Sequence, residues 1–115
     1  MAAKHPEVKL RYQADIAIID LQGEINASAD EILKPAYVEA VATNPKAVLL
    51  NMTDVEYITS TGMAILVELL AQAYQANRPL AACGLSSHYQ EVFQIIRMTD
   101  YMQIFADEAS ALSKL

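Results

Sequence analysis

The sequence predicts an α/β fold: a mixed sheet of four to five strands with about four helices. Short apolar runs bounded by turn residues alternate along the chain with longer stretches whose apolar residues recur at helical spacing. That alternation is the pattern of crossover helices lying over a sheet. A chain of 115 residues, 54% hydrophobic and 19% charged, suffices for one continuous core and is too short for two. The expectation is therefore a single domain over residues 1–115.

The elements follow in order. "VKLRYQADIAIIDLQG" alternates apolar and polar residues, pauses at Gln13-Ala14 and continues apolar, which predicts two strands joined by a tight turn, the second, Ile16 to Leu21, being more buried. After Gly23, Ser28 and Glu31 have capping-box spacing, and Ile32, Leu33, Ala36, Tyr37, Ala40 and Val41 mark an amphipathic helix. Pro35 lies within it and lacks a backbone donor, so a kink or a late start is expected. "KAVLLNM" is the apolar run of a central strand buried on both faces. A helix begins near Ser60 and is apolar over most of its circumference from Met63 to Ala76, which predicts heavy coverage by neighbours. "NRPLAACGL" supplies a turn and a buried strand. "SSHYQEVFQIIRM" places Tyr89, Val92, Phe93 and Ile96 on one helical face, with Ser86 or Ser87 to cap it. "MQIF" predicts a short last strand and "DEASALSKL" a terminal helix, acidic at its start and basic near its end.

Composition excludes several functions. Eight basic residues stand singly against fourteen acidic ones, for a net charge of −6, and such a surface repels a phosphate backbone, so no direct nucleic-acid partner is expected. The longest nearly uncharged stretch, Tyr57 to Val67, covers roughly half of a membrane span, and no membrane insertion is expected. The start "MAAKHPEVKL" lacks the apolar region of a secretory signal, which points to the cytoplasm. Cys83, the sole cysteine, lies in "LAACGL" and reads as a small buried hydrophobe. His5 and His88 have no second ligand at metal spacing, so no metal site is expected, and no cofactor motif is present. No nucleophile, base and oxyanion donor combine into a catalytic centre, so the chain is not expected to be an enzyme.

The unusual feature is Thr59-Ser60-Thr61 immediately before Gly62, between a buried strand and a buried helix. One hydroxyl suffices to cap a helix, and three stand there. Exposed N–H groups and the aligned peptide dipoles make such a helix start receptive to an anion. Phosphorylation would add about −1.5 to −2 charges at that point.

"NMTDVEYITSTGMAIL" resembles the signature of the STAS domain, specifically of the bacterial anti-sigma factor antagonists. "LQGEIN" resembles the same family's Gly-Glu-apolar-Asp segment, and "CGLSSHYQEVFQIIRMTDYMQIF" its closing strand, helix and final strand. The likeness runs from about Val8 to Leu115. It implies a STAS-like sheet and a phosphorylation-regulated protein-binding module. In that family the unmodified antagonist binds an anti-sigma factor that is often also a serine kinase; phosphorylation abolishes binding and a phosphatase restores it. The resemblance places the phosphoacceptor at Ser60, with Thr61 and Thr59 in reserve. It implies a partner-binding surface of Glu24, Asn26, Ser28, Thr59, Thr61, Gly62 and Met63. Two departures stand out: Thr59 and Asn26 occupy positions where the family usually has aspartate. Their loss either removes acids used by a magnesium- and ATP-dependent kinase or relieves like charge around a phosphate. The alternative function is a non-phosphorylated scaffold or accessory subunit of a larger signalling or transport complex.

Overall fold

The computed structural model describes residues 5–115. The first four residues, part of the start that is expected to carry no secretory signal, lie outside it. The described elements are β1 (Glu7–Gln13), β2 (Ile16–Ile25), α1 (Asp30–Ala42), β3 (Ala47–Ile58), α2 (Ser60–Gln75), β4 (Leu80–Cys83), α3 (Ser87–Ile95), β5 (Gln103–Phe105) and α4 (Glu108–Lys114). Two 3-10 turns, Ala27–Ala29 and Met98–Asp100, complete them. The five strands form one sheet in sequence order, β1 antiparallel to β2 and every later neighbour parallel.

That order determines the layers. When successive parallel strands advance in one direction, right-handed crossovers place their connecting helices on one face. The larger core accordingly joins Ala17, Ile19 and Leu21 of β2 and Val48, Leu50 and Met52 of β3 to Leu33 and Tyr37 of α1, Leu66 and Leu69 of α2, and Phe93 of α3. The alternate strand residues, Ile16, Ile18, Ala47, Leu49, Ala81 and Cys83, form a smaller cluster with Ala111 of α4 on the opposite face. On this second face a polar network crosses the strands. Arg11 donates to Asp20 at 2.6 and 2.9 Å and pairs with Glu108 of α4, while Asn51 donates to Asp20 at 2.8 Å.

Several sequence expectations change. β2 continues to Ile25 and β3 to Ile58, well past Leu21 and Met52, because the two polar ends pair with each other from Gln22↔Asp54 to Ile25↔Ile58. Their hydrogen bonds come from a neighbouring strand, which side-chain periodicity does not report. The turn between β1 and β2 falls at Ala14-Asp15, with Ala14 left-handed at φ 54°. The Ser28–Glu31 capping box does not form. Instead the Asn26 side chain caps a 3-10 turn by accepting from the Ser28 N–H at 2.9 Å, and α1 follows with no side-chain cap at its own start. α1 does not start late: it runs from Asp30 through Pro35, an exposed position where the N–H that would reach the Glu31 carbonyl is missing. α2 is not covered all round, since Ala64, Val67, Ala71 and Tyr74 are exposed. Ile96, expected on the buried face of α3, lies past its end and is exposed.

Candidate functional site

The end of the β2–β3 pair builds the site. The Ile25 carbonyl accepts the Thr59 N–H at 2.9 Å and the Thr59 hydroxyl at 3.3 Å. The same hydroxyl accepts the Gly62 N–H at 3.0 Å, so Thr59 is the N-cap of α2. Three hydroxyls in succession thereby divide their duties. Thr59 is half-buried and committed to the cap, whereas Ser60 and Thr61 are exposed at the first two helical positions. Among the described residues neither of those two side chains has a hydrogen-bond partner, and their backbone N–H groups have no protein acceptor. Ser60 therefore stands at the positive end of a 16-residue helix with its oxygen accessible.

Gly62 contributes space. A Cβ built on it would stand 1.9 Å from the Ile25 oxygen, so only glycine lets the first turn of α2 approach β2 this closely. Buried and without a side chain, Gly62 shapes the surface from beneath. Met63 is half-buried and packs against the main core. Ile65, two residues further along α2, is buried outright.

Of the proposed contact loop, Glu24 lies within β2 near its end, Asn26 just after it, and Ser28 in the 3-10 turn. The Asn26 amide donates to Glu24 at 3.1 Å while its carbonyl oxygen caps the turn, so Asn26 has a structural duty as well as a place beside α2. Ser28 is exposed and Glu24 half-buried. The strand pairing Ile25↔Ile58 brings this segment next to the hydroxyl cluster.

Sequence reasoning missed two contributors from α3. Tyr89 is buried, and its hydroxyl accepts the Ile58 N–H at 2.8 Å and donates to the Ile58 carbonyl at 3.4 Å, holding the strand end that carries Ser60. Its position on the apolar face was legible; its polar partner, thirty-one residues away, was not. The second is His88. It is exposed, as expected of a residue near a helix start, and its ring meets Tyr89 edge-on at 4.8 Å between centroids. A groove of about 330 Å³ runs between the start of α2 and α3, and Ser60, Met63, Tyr57 and His88 are among its lining residues. A larger polar hollow of about 740 Å³, bordered by Glu7, Gln22, Asp54 and Glu56, lies elsewhere at the C-terminal ends of β2 and β3.

Away from the site, Arg11 is the main cause holding the Asp20 carboxyl below the usual carboxylate range. Burial pushes the Cys83 thiol up to about 11, helped by nearby Glu108, so it is a neutral packing group at neutral pH. Among the described residues no cluster of His, Cys, Asp and Glu could hold a metal ion, and no helix is long and apolar enough to cross a membrane.

A mixed sheet, parallel from β2 to β5, thus carries helices on both faces and leaves an uncommitted hydroxyl at the start of α2. The STAS domain profile matches residues 7–111, and the chain belongs to the STAS domain family. BtrV of Bordetella bronchiseptica, which bears the name of an anti-sigma factor antagonist, is 29% identical over 85 residues, covering 74% of this chain and 71% of the relative. The structure of an anti-sigma factor antagonist from Mycobacterium paratuberculosis superposes with a TM-score of 0.80 at 17% identity, covering 96% of this chain and 93% of that one. The phosphorylated form of the Bacillus cell fate determinant SpoIIAA superposes with a TM-score of 0.73 at 16% identity, over 94% of this chain and 98% of that one. At such identities the two superpositions speak to the fold.

Proposed function

We propose that the chain is an anti-sigma factor antagonist: a cytoplasmic protein-binding module, not itself an enzyme, whose docking surface is switched by phosphorylation of Ser60. Unmodified, it binds an anti-sigma factor that also serves as its kinase. In the transfer, the Ser60 oxygen forms a bond to the γ-phosphorus of ATP as the bond to the ADP oxygen breaks, and the hydroxyl proton leaves. A phosphatase returns the serine by hydrolysis. The observation that carries this reading is the division of duties between Thr59, which caps α2, and Ser60, which is exposed with an unengaged hydroxyl.

Phosphate at that position would place a dianion among the side chains a partner must cover, Glu24, Ser28, Thr61 and Met63, and desolvating it against an apolar partner is costly. Thr59 and Asn26 keep the local structure without adding negative charge, since each caps through a neutral oxygen. The name of the BtrV relative supports an anti-sigma factor as the partner.

The test is to incubate the purified protein with ATP and the serine kinase encoded near it, and to measure intact mass. A gain of one phosphoryl group that disappears in Ser60→Ala supports the assignment; no gain, or a gain surviving Ser60→Ala, rejects it. A scaffold role predicts association with a larger complex that is indifferent to Ser60→Glu.

A further inference from the structure

The groove beside Ser60 holds a feature that the phosphorylation reading does not use. Its lining comes from the end of β3, the first turn of α2 and the first turns of α3: Tyr57, Ile58, Thr59, Ser60, Met63, His88, Tyr89 and Val92. Among these side chains His88 alone carries a basic group, and none carries a carboxylate. The His88 ring is set against the buried Tyr89 ring, which is anchored to Ile58, two residues before Ser60. Neither imidazole nitrogen has a hydrogen-bond partner among the described residues. The chain as a whole has a net charge of −6, so a new dianion meets a surface poor in counter-charge. Lys34, a cation of α1 that reaches α2, is taken by Asp30 and Glu68.

We propose that His88 is the counter-charge for a phosphate on Ser60, its imidazolium pairing with the phosphoserine across the groove so that α2 and α3 are tied together in the modified state. This rests on Ser60 being the phosphoacceptor. A protonated imidazole is a cation, and a phosphoserine adds about −1.5 to −2 charges, so the two are complementary across the groove. Each charge favours the other: the dianion raises the midpoint of His88, and the imidazolium lowers that of the phosphate by the same amount. The other groups around His88 leave this pairing open. From β3 comes the Tyr57 phenol, from α2 the hydroxyls of Thr59 and Ser60, and from α3 the Tyr89 phenol, committed to Ile58. Glu91, exposed three residues along α3, competes only from its own helix. The modified protein thereby gains a closed groove as well as an added charge, and its phosphate resists protonation to lower pH.

The experiment installs phosphoserine at position 60 during translation and follows the phosphorus and imidazole resonances by NMR between about pH 5 and 8. The expected result is a rise of about 0.5 unit in the His88 midpoint on phosphorylation, with a matching fall for the phosphate. In His88→Gln the phosphate titrates higher by that amount, and His88→Lys, which keeps a cation, restores the low value. A phosphate midpoint unchanged by His88→Gln overturns the proposal. Because translation places the phosphate, the titration reads His88 whatever any kinase does. A failed kinase assay removes Ser60 as acceptor, whereas an unmoved titration removes only the role of His88.

Discussion

Gly62 lies so close to Ile25 that the Ile25 carbonyl, which already accepts the Thr59 N–H, occupies the space a Gly62 side chain would need. One oxygen thus sets both the strand-to-helix connection and the depth at which α2 sits. Gly62→Ala should gain about 1 kcal/mol of helix propensity yet lose more by forcing α2 off β2, for a net cost of about 1–3 kcal/mol. Urea denaturation measures it. Unchanged stability would mean that the first turn of α2 moves freely, and the placement of Ser60 would lose its physical basis.

Tyr89 holds the other side of this connection. Tyr89→Phe keeps the ring and removes the two hydrogen bonds to Ile58, leaving a buried backbone N–H unpaired, at a cost of about 1–3 kcal/mol. Hydrogen exchange of the Ile58 amide should accelerate more than exchange in the centre of β3. Equal acceleration throughout the strand would show that the hydroxyl does not act locally.

The adjacent hydroxyls should separate stability from binding. Thr59→Ala removes the cap of α2 and should cost about 1 kcal/mol, largely recovered in Thr59→Ser. Ser60→Ala and Ser60→Glu alter an exposed side chain and should each change stability by less than about 0.5 kcal/mol. Only Ser60→Glu should weaken capture of the proposed anti-sigma factor partner in a pull-down. Equal capture by both Ser60 variants would argue against a charge switch.

Arg11 and Asp20 give the fold a directional response to acid. The Asp20 pKa is lowered in the folded chain, first by its hydrogen bonds from Arg11, so its contribution is present above the unfolded carboxylate value of about 4 and is lost as pH falls through the lower folded value. Asp20→Asn should destabilise the protein at neutral pH and flatten its acid-unfolding profile. Parallel profiles for the two proteins would refute this.

Cys83 responds in the opposite direction. Its folded pKa of about 11 lies above the unfolded thiol value, so its contribution is complete below about 8.5 and disappears as pH rises through 11. The native thiol should react far more slowly with iodoacetamide than the urea-unfolded one at neutral pH. Comparable rates would show that the site is open to solvent.

Much of this architecture was legible in the residues. The buried runs of β2, β3 and β4 declare themselves by unbroken apolar composition, and α3 by Tyr89 and Phe93 one turn apart, because burial leaves a period in side-chain type. The polar strand ends from Gln22 to Glu24 and from Thr53 to Tyr57 left no such trace, since what makes them strands is pairing with each other. The Ser28–Glu31 pattern had the right spacing for a cap, but Asn26 captured the Ser28 N–H first, and a local pattern carries no information about a competing acceptor.

By itself the sequence determined the order of elements, the buried apolar runs of the central strands, and the presence of surplus hydroxyls at the start of α2, all of which depend on neighbours within a few residues. Tertiary structure alone decided which hydroxyl was consumed and which left exposed, why position 62 has room for no side chain, and that His88 shares a groove with Ser60. Those outcomes depend on atoms of β2, β3 and α3 far apart in the chain, brought into contact by the parallel pairing that carries Ile25 and Ile58 to the same end of the sheet.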